Sequence, residues 1–92
     1  MSIKKNYFDS LKRKLKFPIN AEIYAMENYK TLKNGDRVKI ISLSYEDDLY
    51  GIICDLRFGR KKYSIPLVEL KVDKTSPAYG LIREYQVAFG SR

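Results

Sequence analysis

The sequence predicts an α+β fold: a small, strongly bent antiparallel β-sheet or SH3-like barrel of four to five strands, with an N-terminal and a C-terminal helix. Three observations carry this expectation. Near both ends of the chain, apolar residues recur every three to four positions, the period of an amphipathic helix. Between those ends, apolar residues alternate in short runs, the period of half-buried strands. Turn signals at Asn34-Gly35-Asp36 and Gly59-Arg60 divide the runs. With 92 residues the chain has room for one domain, read as a basic amphipathic helix over 1–16, a sheet core over 19–72 and a helix over 76–90.

Ile3, Tyr7, Leu11 and Leu15, with Phe8 beside them, form the first helical stripe, and Lys5, Lys12, Arg13 and Lys16 fall on the opposite face. Ser2 is a candidate cap. Phe17-Pro18 stops the helix, because a residue before proline is pushed out of the α region. Ala21, Ile23 and Ala25 alternate within a first strand over 19–27. Residues 37–45 form the clearest strand: Val38 and Ile40 alternate, then Leu43 and Tyr45 continue in the other phase. The slip at Ile40-Ile41 predicts a bulge, as small barrels need.

A loop over 44–49 follows, holding three consecutive acids, Glu46, Asp47 and Asp48. Ile52, Cys54, Leu56 and Phe58 place one face of a strand over 51–58. The next strand, 61–65, meets Pro66, which ends it or marks it as an edge. Val68, Leu70 and Val72 add a short last strand. Ser76-Pro77 is a helix start, Ala78, Ile82, Tyr85 and Phe89 are the buried stripe of that helix, and Gly90 ends it.

Composition excludes several classes. The sequence contains no His, the commonest general base and transition-metal ligand, and only one Cys. A zinc centre and a Cys/His or Ser/His nucleophile are thereby disfavoured, and no phosphate loop of Walker type is present. The chain reads as a binding protein, not an enzyme. Metal chemistry is left to oxygen ligands and hence to Ca²⁺ or Mg²⁺. No apolar run approaches the ~18 residues of a membrane span, the first residues lack a signal-peptide core, and a lone Cys54 suits a reducing compartment. The expected location is cytoplasmic. Net charge is +7, of which residues 1–16 supply +5 through Lys4, Lys5, Lys12, Arg13, Lys14 and Lys16 against Asp9. Basicity is therefore concentrated in the first helix.

The order of motifs resembles a known family. Leu15-Lys16-Phe17-Pro18-Ile19-Asn20-Ala21 is followed by Gly35-Asp36-Arg37-Val38, Asp47-Asp48-Leu49-Tyr50-Gly51-Ile52, Gly59-Arg60-Lys61-Lys62-Tyr63 and Pro66-Leu67-Val68-Glu69-Leu70, then an aromatic-rich helix ending at Arg92. Over residues 15–92 this is similar to the bacterial calcium-binding proteins of the cyanobacterial (CcbP-like) type. The resemblance implies a β-rich domain that binds Ca²⁺ through carboxylates outside any EF-hand. The best-known members are acidic, whereas this chain is basic.

Ca²⁺ takes six to eight oxygens, so several carboxylates must meet. Nothing here matches the EF-hand loop. In an antiparallel meander the loop after the second strand lies at the end of the sheet where the fourth strand finishes. Asp47 and Asp48 are thus expected to meet Glu69 and Asp73 there; the plainer reading is a solvated loop with a turn-forming Asp pair. The rival function is a nucleic-acid- or ribosome-associated module, using Lys12, Arg13, Lys16, Arg60, Lys61 and Lys62 on phosphates. A protein partner docking on the basic N-terminal helix is a third. Cys54, between Ile52 and Leu56 on the apolar phase, is expected to be an inert core thiol.

Overall fold

Leu11 is buried on α1 (Tyr7–Lys14), which ends two residues short of the predicted first helix; the computed structural model describes residues 7–24 and 32–89. Ile3 and Ser2 lie outside them, as do residues 25–27 of the predicted first strand and Gly90. Asp9 in the first turn and Lys12, Arg13 and Lys14 in the last complement the helix dipole. The helix stops ahead of Phe17-Pro18, whose peptide bond is cis.

The strands are β1 (Ile19–Ile23), β2 (Arg37–Asp47), β3 (Gly51–Phe58), β4 (Lys61–Pro66) and β5 (Leu70–Val72), and α2 (Tyr79–Phe89) closes the described chain. All pair antiparallel in one sheet of order β4-β3-β2-β1-β5. The predicted slip in β2 is present as a register shift between Ile40 and Ser42. A second shift lies between Leu43 and Tyr45.

Three further boundaries differ from the sequence reading. β2 continues through the acids, with Glu46 opposite Ile52 and Asp47 opposite Gly51, so the loop shrinks to 48–50. The Asp47 carboxylate makes the tight turn possible: its Oδ2 accepts the N–H groups of Leu49 and Tyr50, both at 2.8 Å. Residues Leu67–Glu69 form a 3₁₀ turn where a strand was expected. And α2 begins at Tyr79, because Ser76 spends its Oγ on the Ala78 N–H and its carbonyl on the Tyr79 N–H, which makes a turn leading into the helix.

The 3₁₀ turn explains the curvature. It joins β4 and β5, the two edges of the sheet. In a flat sheet those edges would lie about 19 Å apart, four spacings of ~4.8 Å. Four Cα steps span at most about 14 Å, and less when wound. The sheet must therefore curl, which makes it the strongly bent sheet of the sequence reading, open between β4 and β5 and not a closed barrel. Gln86 of α2 holds the closure. Although polar it is 5% exposed, and its Nε2 donates to the carbonyls of Leu67 (2.9 Å) and Leu70 (2.7 Å) at the two ends of the crossing.

Inside the curl, Ile19, Ala21, Ile23, Val38, Ile40, Leu43, Ile52, Cys54, Leu56 and Ile65 pack against Leu11, Ile82 and Tyr85 from the helices and Leu15 just after α1. Cys54 is the core thiol expected, donating to the Ile65 carbonyl at 3.3 Å. Burial pushes its pKa up to about 12 from 9.0. Two outcomes follow. A thiol reagent at pH 8 is expected to modify Cys54 only as fast as the protein unfolds, which a stopped assay with and without denaturant measures. The unfolded thiol ionises near pH 9 and the native one near 12, so stability should fall as pH rises through that window.

Candidate functional site

The turn between β2 and β3 is built by two residues that the chain cannot easily replace. Asp47 ties down two turn amides, and Gly51 takes φ +78°, a left-handed conformation that side chains disfavour. Directly above, Tyr85 of α2 receives the Ile52 N–H on its phenolic oxygen at 2.8 Å. Its ring stacks edge-on with Tyr7 of α1 at 5.5 Å and lies tilted against Phe89 at 5.8 Å. Burial raises the Tyr85 hydroxyl pKa, offset by the Ile52 bond; the negative charge of Glu46 adds to the rise.

Between this aromatic roof and the turn lies a hollow of about 380 Å³, lined by Tyr7, Glu46, Asp47, Asp48, Gly51, Tyr85, Ala88 and Phe89. Among the described residues no Lys or Arg lines it. That is unusual in a chain of net charge +7. Three other hollows each carry bases: Lys71, Lys74 and Arg83 in one, Lys14 and Lys16 in the second, Arg37, Lys39 and Arg57 in the third.

Of the four carboxylates expected to converge, Asp47 and Asp48 line this hollow, and Glu69 and Asp73 do not. The meander argument holds as far as Pro66, which pairs with Ile53 near the start of β3. The 3₁₀ turn then carries the chain across to β1. There the Glu69 carbonyl accepts the Tyr24 N–H at 2.8 Å. Asp73 is held by Arg37, through Nη1 to Oδ1 at 3.1 Å and Nη2 to Oδ2 at 2.8 Å, with Glu22 beside them at 3.4 Å. The Arg37 guanidinium lowers the Asp73 pKa. Among the described residues no three Asp, Glu or Cys side chains converge into a ready-made metal cage.

Sequence reasoning passed over Glu46 and Tyr85 as site residues. Glu46 was one of three acids in a row, and only its pairing with the inward-facing Ile52 shows that it points to the helix side. The bases proposed for nucleic acid are spread out. Lys12, Arg13 and Lys16 are exposed on or just after α1, with Lys12 Nζ 5.2 Å from the centre of the Phe8 ring, whereas Arg60, Lys61 and Lys62 lie at the β3–β4 turn. None of these hollows joins the two groups.

A curled, open five-stranded sheet clasped by two helices, with an acidic hollow at one end, defines the class: a small α+β protein. The sequence profile of the CcbP-type family, described as calcium binding, matches residues 3–88, and the chain belongs to that family. In structure it is similar to the crystal structure of Anabaena CcbP, with a TM-score of 0.69 and 12% sequence identity over 94% of this chain and 72% of that one. At that identity the likeness speaks for the fold. Among curated proteins none matches the sequence. Among the described residues no helix is long and apolar enough to cross a membrane.

Proposed function

We propose that the chain binds Ca²⁺ at the β2–β3 turn, through Glu46, Asp47 and Asp48, as a cytoplasmic binding protein of one domain that is not an enzyme. The observation that carries the reading is the hollow itself: Glu46, Asp47 and Asp48 of a basic chain line it, and among the described residues no base does. Membership of a calcium-binding family supports the choice of ion.

The donor set fits Ca²⁺. It is all oxygen, and carboxylates plus water can fill a flexible shell of six to eight. One oxygen of Asp47 already fixes the turn, which leaves Oδ1 for an ion. Asp48 and Glu46 are exposed and must be drawn in. That ordering costs conformational entropy, so the expected affinity lies toward the weaker end of the ~10⁻⁷ to 10⁻³ M span of reversible calcium sites. Asp73 is committed to Arg37 and Glu69 sits at the β1 end of the crossing, outside the hollow, so this reading leaves both out. Bound to the folded state alone, the ion would also stabilise the chain.

Calorimetric titration of chelator-treated protein tests this. Ca²⁺ is expected to bind saturably and more tightly than Mg²⁺. The double variant Asp47→Asn/Asp48→Asn should lose at least about tenfold in affinity, since each lost carboxylate charge weakens a calcium site. Asp73→Asn should bind as the parent does. Equal binding by the double variant and the parent would remove the site from this turn.

A further inference from the structure

The outward face of the sheet carries a row of bases that strand pairing puts together from distant parts of the sequence. Lys39 of β2 stands opposite Arg57 of β3, and Arg57 opposite Lys62 of β4. On its other side Lys39 pairs with Asn20 of β1. All four are exposed. The row crosses four neighbouring strands, about 14 Å at ~4.8 Å per strand.

Such an arrangement is costly to a sheet. Like charges directly opposite one another repel, and opposite charges are the stabilising choice. Among the described residues none of the three bases is in an ion pair. Acids flanking the row are otherwise occupied. Glu22, diagonal to Lys39, and Asp73 are both bound by Arg37. Asp55, one outward position along β3, accepts the hydroxyls of Ser64 at 3.0 Å and Ser42 at 3.4 Å. At the far end Asn20 lines both the hollow of Lys39 and Arg57 and the hollow of Lys14 and Lys16. The basic track therefore continues past the sheet toward the end of α1.

We propose that this track binds the phosphodiester backbone of nucleic acid, without reading bases. Phosphates need only clustered Lys and Arg, each contact releasing a counterion. A protein partner would need an apolar or aromatic anchor and a contact surface poor in lysine. A membrane surface would need apolar side chains to insert. Among the described residues Ile41 is the one exposed large apolar side chain next to Lys39. Tyr45 stands beyond the second bulge toward the acidic end of β2, Leu49 and Tyr50 lie at the acidic turn, Val87 and Phe89 on α2, and Tyr24 just past β1, so the three bases themselves have no aromatic anchor among them. The site is independent of the calcium reading and shares no residue with it.

The test is fluorescence anisotropy with a short labelled oligouridylate, with EDTA present throughout, as salt is raised from roughly 50 to 200 mM. Binding is expected at low salt, falling steeply with salt. The triple variant Lys39→Gln/Arg57→Gln/Lys62→Gln should bind about tenfold or more weakly. Its log–log salt slope should be shallower by about 2, at ~0.7 per phosphate contact for a single strand. Its melting temperature should equal or exceed the parent's, because the cross-strand repulsion is gone. The control is Lys71→Gln/Lys74→Gln/Arg83→Gln, which removes the same charge from the separate hollow beside α2. It should keep the parent's affinity and slope. No saturable binding at the lowest salt, or an equal loss in the control, would overturn the proposal. So would tighter binding of a polyglutamate peptide than of the oligonucleotide, which would assign the face to an acidic protein.

Discussion

Gly51→Ala is expected to destabilise the protein by roughly 3–5 kcal/mol, a large part of the ~5–15 kcal/mol that holds such a domain. Three effects add. A side chain at φ +78° costs about 1–2 kcal/mol. A Cβ there collides with the Tyr85 hydroxyl and comes within 2.7 Å of the Phe89 ring, and such overpacking costs ~1–3 kcal/mol. Moving Tyr85 aside then strands the buried Ile52 N–H, worth another ~1–3 kcal/mol. Relaxation shared among the three keeps the sum below its maximum. Gly35 is the internal control. It has φ +96° and open space around its missing Cβ, so Gly35→Ala should lose only the backbone part, about 1–2 kcal/mol. Thermal melts separate them: about 4–8 °C per kcal/mol is expected at this size. Equal losses at both glycines would mean that Tyr85 does not press on the turn.

Gln86→Leu is expected to cost about 2–4 kcal/mol even though it exchanges a buried polar side chain for an apolar one of similar volume. The reason is that two carbonyls, Leu67 and Leu70, lose their donor inside the protein. Urea unfolding gives the magnitude. Hydrogen exchange gives the place: amides of β5 and its partner β1 should lose protection before those of β2 and β3, since Gln86 secures the crossing that brings β5 to β1. Uniform loss across the sheet would show that Gln86 stabilises the core in general and does not act as a clasp.

What was legible in the sequence was what local periodicity encodes. Ile52, Cys54, Leu56 and Phe58 named the inner face of β3 because one strand face is apolar and the other is not. The doubled Ile40-Ile41 showed the first bulge because a phase slip is visible in the residues themselves. The second bulge was hidden, since Leu43 and Tyr45 keep a regular alternation while Tyr45 in fact turns outward to pair with Ile53. Pro66 signals an edge and an end, and β4 is both: an edge strand that stops at Pro66. Nothing local said that the chain would next cross to β1, and that long-range step is what separates Glu69 and Asp73 from Asp47 and Asp48. The acidic run pointed to the hollow, but Tyr85 and Gly51, which shape it, are joined only by tertiary packing. Gln86 carries no sequence signal either: a glutamine on a helix reads as solvated until its partners are known.

The length of β3 has an electrical consequence. Arg57 lies six residues from Gly51, about 20 Å along the strand at ~3.3 Å per residue. At physiological ionic strength the screening length is about 8 Å, so the acidic turn and the basic row barely sense one another through solvent. A strand of this length insulates two regions of opposite sign within a single sheet. A divalent cation held at one end and a polyanion lying across the other would load and leave as independent guests, each answering to its own concentration.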